Sequence, residues 1–171
     1  ITGHTHYNLN VVFNENLMEH NTAAVCGTWW KADVCLDGTP RGYGVYEVNG
    51  NDVKWYYKSS GYPKEHQFRS YPAGASKEHP SDIIANVWNW DKNWKVEWLE
   101  NGKVMGTMTQ YTGVDPYAHQ VCTDKKRTMQ SWISAASTGH MFRATPRNPK
   151  AKIEIRVTDR FGKVYQQNVS K

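Results

Sequence analysis

The chain has 171 residues, enough to bury a core as one large domain or two small ones, and its eight Trp and ten Tyr favour strands and binding surfaces over a helical bundle. Its formal charge of +5 is scattered, the tightest cluster being Lys125-Lys126-Arg127, so it lacks the concentrated basic stripe of a nucleic-acid-binding protein, and no nucleic-acid partner is expected. No apolar run reads as a signal peptide or a membrane-spanning helix.

Ile1 stands where a complete protein would carry Met, and the sequence reads as the continuation of a longer polypeptide. Gly3-His4-Thr5-His6 comes at once. Neutral imidazoles are good ligands for zinc, manganese and iron. On an extended segment two histidines one residue apart point to opposite sides, but a loop can aim them at two ions held side by side. Taken alone, the pair is more often incidental than functional.

Cys26, Cys35 and Cys122 define no disulfide framework. Cys26 and Cys35 can be bridged if they face each other across neighbouring strands, and buried free thiols fit equally well. Trp29-Trp30 admits two readings. One is a wall of a substrate cleft, with aromatic faces stacking on a base, sugar or lipid; the other is burial, one indole on each side of a strand. Asp37-Gly38-Thr39-Pro40 is a turn by its chemistry. His20 is a lone histidine of the kind that is usually half-buried and polar, though a cleft is within its reach.

The period-2 signal then dominates. Gly42–Val48 and Val53–Lys58 flank Asn49-Gly50-Asn51, which predicts a hairpin. Residues 71–82, "YPAGASKEHPSD", hold Pro72, Gly74 and Pro80 among small and polar residues and read as a boundary between two β units, 1–72 and 80–171. In the second unit, Trp94, Val96 and Trp98 alternate with Lys95 and Glu97, and Asn101-Gly102 turns the chain into Val104–Thr109. Ile153, Ile155 and Val157 alternate with charged residues before Asp159–Gly162 turns them into Val164–Asn168. Only "TDKKRTMQSWISAAS" has a helical rhythm, with Met129, Trp132, Ile133 and Ala136 on one face and Thr123 or Thr128 as N-cap. The expected fold is all-β: antiparallel hairpins with one short helix and an immunoglobulin-like sandwich in the C-terminal half. Trp88, Trp90, Trp94 and Trp98 fit a core, and alternatively an aromatic platform for sugars. No G-x-S-x-G elbow, Gly-rich phosphate loop or HExxH motif occurs.

"GHTH" resembles the last metal-binding motif of the calcineurin-like metallophosphoesterases. "AAVCGTWW", "DGTPRGYGVYEV" and "VKWYYKSSGYPKEHQFRSY" are similar to the segment after that motif in bacterial, Bacteroides-like envelope phosphoesterases, and "AKIEIRVTDRFGKVYQQ" resembles the final hairpin of their C-terminal domain. The resemblance covers nearly the whole chain. It implies an upstream catalytic domain as partner, a phosphate-ester substrate, a dinuclear site of manganese, iron or zinc, and a periplasmic or secreted location. His4 would ligate one ion and His6 the other, Gly3 would permit close backbone approach, and Trp29 or Trp30 would line the cleft. The family's other ligand motifs, Asp-x-His and Asn-His, do not occur downstream, so the chain alone is expected to be inactive and to bind no metal. The reading from a different class is a non-catalytic sandwich module that binds carbohydrate or a surface.

Overall fold

The computed structural model describes residues 1–124, 126, 130–148 and 150–169. Two hairpins open it: β1 (Leu9–Asn14) with β2 (Leu17–Asn21), then β3 (Gly42–Asn49) with β4 (Asp52–Ser59). A long irregular segment, residues 22–41, lies between them. The turn at Asn49-Gly50-Asn51 falls where the sequence puts it, with Gly50 at φ +59°.

The rest builds two four-stranded antiparallel sheets. The first runs β5 (Arg69–Tyr71), β6 (Ile83–Asn86), β10 (Ser137–Ala144), β9 (Thr109–Val114); the second runs β12 (Val164–Asn168), β11 (Ile153–Thr158), β7 (Lys95–Glu100), β8 (Lys103–Thr107). Lettered in chain order, these are A-B-E-D and G-F-C-C′, the immunoglobulin arrangement with an added C′ strand. Their inner faces share one core, in which Phe68, Ile83, Ala85 and Phe142 meet Val96, Trp98, Ile155, Val157 and Tyr165. β11 shows the expected alternation, with Ile153, Ile155 and Val157 buried and the residues between them half-buried. Of the stretch 71–82 read as a boundary, Tyr71 ends β5 and residues 72–82 connect it to β6, the two strands pairing with Ser70 opposite Ala85. Phe68 and β5 thus belong to the sandwich.

β6 breaks the alternation because all four of its residues are buried. Ile83 and Ala85 face the sandwich core, while Ile84 packs with Tyr71 and Met141 in a second cluster, against Ala75, Tyr111 and Tyr117. Trp88 is buried in a third, with Ala23, Cys35 and Tyr57. The connector between the N-terminal hairpins is bonded to the first sheet, through Gly38 to Arg69 and through Asp37 to Asn86 and His140. Of the four tryptophans weighed as a sugar platform, Trp88 and Trp98 are buried, and Trp90 and Trp94 pack against the sandwich core.

The helix does not fall where the rhythm puts it. α1 spans Pro116–Thr123, ahead of the expected segment, with Asp115 as N-cap accepting from the Ala118 N–H at 2.8 Å and Pro116 in the first turn. Asp-Pro is a strong start signal, and it outweighs a weak periodicity downstream. Thr123, proposed as an N-cap, instead ends the helix with its hydroxyl on the His119 carbonyl at 2.8 Å. Thr128 and Met129 lie outside the described residues. Trp132 is exposed while its neighbour Ile133 is buried, and residues 130–136 form no helix.

Candidate functional site

Thr2 runs parallel to β2, donating its N–H to the His20 carbonyl at 2.7 Å and accepting from Thr22 N–H at 3.0 Å. The chain then turns sharply through the histidine motif, with His4 at φ +81° and His6 at φ +57°. Asn21 holds the loop from inside by donating to the Thr5 hydroxyl and, at 3.0 Å, to the Tyr7 carbonyl. A Cβ on Gly3 would meet nothing within 4 Å, so no close approach inside this chain requires glycine there.

The two histidines differ. His4 is exposed, whereas the His6 ring is half-buried and lies 4.3 Å from the Trp29 ring at an interplanar angle of 20°. His6 Nδ1 is 3.0 Å from the Gly27 carbonyl oxygen. A carbonyl only accepts, so Nδ1 carries the proton and the lone pair is on Nε2. Among the described residues Nε2 has no partner. A backbone carbonyl that fixes the tautomer of one nitrogen and leaves the other free is the usual support of a metal-ligating histidine. The Cys26 sulfur lies 3.7 Å from the same Nδ1.

Trp29 and Trp30 are not on a strand. They sit in a turn closed by the Trp30 N–H on the Cys26 carbonyl at 2.7 Å, with φ of +48° and +60°. The turn still points them apart: Trp29 covers His6 and Trp30 is exposed. Four of the five non-glycine residues with positive φ among the described residues are His4, His6, Trp29 and Trp30. Left-handed backbone is costly for such side chains, and it persists where the surroundings hold it for a purpose.

Beneath this loop lies a buried polar hub that the sequence did not announce. Asp37 is 1% exposed, and its carboxylate accepts from the Asn8 N–H at 2.8 Å, the Thr39 hydroxyl at 2.7 Å and the Thr39 N–H at 3.0 Å. His140 Nε2, from β10, lies 3.0 Å from the same carboxylate, and its Nδ1 lies 2.7 Å from the Asn86 side-chain oxygen. The Asn86 amide nitrogen donates to the Asp37 carbonyl at 2.9 Å and to Asp115 at 2.8 Å, and Tyr71 donates to Asp115 at 2.7 Å. The Asp37-Gly38-Thr39-Pro40 turn is thus an anchor. It fixes Asn8, two residues past His6, to the sandwich, and the Leu36 N–H on the His6 carbonyl at 3.4 Å adds a second tie.

His20 packs elsewhere, with Nδ1 3.0 Å from the Tyr46 hydroxyl and its ring against Trp55. Burial, with Arg160 nearby, lowers its pKa from 6.5 to about 4. The unfolded chain therefore takes up this proton first as pH falls. We expect stability to decline between pH 6.5 and 4 by at most about 1.4 kcal/mol per pH unit from this group. Urea midpoints at pH 7 and pH 5 should show a smaller difference in His20→Gln; an unchanged difference would assign the loss to other groups. All three cysteines are free, so Cys26 and Cys35 are not bridged. Burial, followed by the charge of Asp37, pushes the Cys35 thiol far up and keeps it protonated.

Among the described residues, no three or more His, Cys, Asp or Glu side chains cluster to hold a metal ion. The His6 loop is part of no such group. A family model described as the C terminal of calcineurin-like phosphoesterase matches residues 19–165, from within β2 to within β12. No curated protein and no solved structure matches the chain. The match leaves out β1 and the His4-Thr5-His6 loop but runs over the second hairpin and most of the sandwich, well over half of the chain, and the chain belongs to the C-terminal domain family of the calcineurin-like phosphoesterases.

Proposed function

We propose that this chain completes the active site of a metal-dependent phosphoesterase, with His6 ligating one divalent ion, His4 a second, and Trp29 and Trp30 flanking the substrate cleft. The observation that carries the reading is the Nδ1–H bond from His6 to the Gly27 carbonyl, which presents Nε2 as the free nitrogen while Trp29 fixes the ring plane. Divalent ions of the manganese, iron or zinc type, held by His4 and His6 together with ligands of the catalytic domain, would supply Lewis acidity and activate water for attack on the ester. This chain's share is placement: Gly27 sets the tautomer, Trp29 the ring plane, and Asp37 the position of the loop. The resemblance to bacterial envelope phosphoesterases supports a periplasmic or secreted location.

The remaining ligands belong to the catalytic domain that membership of this family implies. The chain by itself should therefore give no turnover above buffer with a generic phosphodiester and excess manganese or zinc. In the enzyme that includes the catalytic domain, His6→Ala should lower kcat/KM at least 100-fold and reduce bound metal measured by atomic emission. Hydrolysis by the isolated chain that vanishes in His4→Ala would show that no upstream ligands are needed. Full metal content and activity in both His→Ala variants would remove the histidines from the site.

A further inference from the structure

The aromatic wall beside His6 has a third member, supplied from far along the sequence. Trp132 meets Trp29 edge to face, with ring centroids 4.8 Å apart and planes at 86°. Trp29 in turn stacks on His6, so the Trp132 indole stands two ring contacts from the histidine. Its position is held: Ile133 is buried, and the Ala136 N–H donates to the Leu36 carbonyl at 2.8 Å, on the anchor that also holds the His6 loop. Yet Trp132 is 61% exposed and Trp30 80% exposed. Two perpendicular indoles, one backed by His6 and the other offering its surface to solvent, make a corner with a flat wall.

We propose that Trp132 is a specificity-determining residue of the phosphoesterase site, and that with Trp29 it selects esters whose organic group is a planar aromatic ring. The inference rests on the reading of His6 as a metal ligand, which places the phosphate end beside Trp29. A planar ring attached to that phosphate then meets an indole face, and stacking of this kind is worth a tenfold effect or more. An alkyl tail would instead want an enclosed apolar slot. The apolar cavity of about 620 Å³ that the chain does possess is lined by Pro72, Ile83, Pro146, Ile153 and Val169, and it includes neither the His6 loop nor these tryptophans.

The test uses the enzyme with its catalytic domain, assayed by phosphate release on phenyl and ethyl esters of the same phosphate class. Trp132→Ala should raise KM for the phenyl ester about tenfold and leave the ethyl ester within twofold, and Trp132→Phe should recover most of the loss. A second readout needs no turnover: phenylphosphonate should quench tryptophan fluorescence saturably in the parent enzyme and markedly less in Trp132→Ala, while ethylphosphonate should do neither. Equal loss on both esters, or a quench unchanged by Trp132→Ala, would overturn the proposal. So would failure of phenylphosphonate to quench at all, the result expected if the catalytic domain packs over the indole. His6→Ala separates the two readings. If it abolishes both esters while Trp132→Ala is silent, the metal role stands and the aromatic corner falls.

Discussion

Replacing His140 with alanine should destabilise the chain by about 3–5 kcal/mol, among the largest effects of any single side-chain removal outside the apolar core. The ring is 4% exposed, and both its nitrogens face oxygens: the Asp37 carboxylate at 3.0 Å and the Asn86 side-chain oxygen at 2.7 Å. The orientation of Asn86 is not free, because its amide nitrogen already donates to the Asp37 carbonyl and to Asp115. The His140 ring therefore bridges the two oxygens, one at each of its nitrogens. Alanine would leave a carboxylate at 1% exposure without its ring partner, and an amide oxygen without the ring nitrogen that faces it. Urea unfolding of His140→Ala, Asp37→Asn and the double variant gives the coupling directly. The double variant should cost clearly less than the sum of the two single ones, since the second change removes a charge that the first has stranded. A cost below about 1 kcal/mol for His140→Ala would mean that water or a shifted side chain replaces the ring.

The same hub marks where the sequence stops being legible. The three hairpins were readable because alternation and Asn-Gly turns are local, and each registers within a dozen residues. The sandwich came from the number and spacing of those strands. His6 and Trp29 could be nominated separately, one by its motif and the other as an aromatic neighbour, but their stacking depends on left-handed backbone at both, which no local propensity announces. Asp37, Asn86, Asp115 and His140 come from four separate elements and carry no common spacing. Asp37 shows in the sequence only as part of a turn, and Asp115-Pro116 only as a helix start that a downstream rhythm obscures. Trp132 was misplaced for the same reason, since assigning it to a helical face hid it from the site.

Gly38→Ala should be nearly as damaging as loss of His140, at about 2–5 kcal/mol, through steric exclusion and backbone strain together. Gly38 sits in the anchor turn at φ +82°, and a Cβ there would lie 2.5 Å from the Asp115 Cβ and closer still to its carboxyl carbon. Asp115 cannot step aside. It is fully buried, it caps α1 through the Ala118 N–H, and it accepts from Tyr71 and Asn86. The Gly38 carbonyl also receives the Arg69 guanidinium at 2.9 Å, so displacing the turn strips a cation of its acceptor. Gly50 provides the control. It has positive φ as well, at +59°, but a Cβ there meets nothing within 4 Å. Gly50→Ala should therefore cost only the conformational part, about 1–2 kcal/mol. The difference between the two variants in urea isolates the clash, and a shift of the amide signals of α1 in Gly38→Ala alone would trace it to the cap. Equal costs at the two positions would show that the turn relaxes away from Asp115, and that the hub beneath the His6 loop is softer than its packing implies.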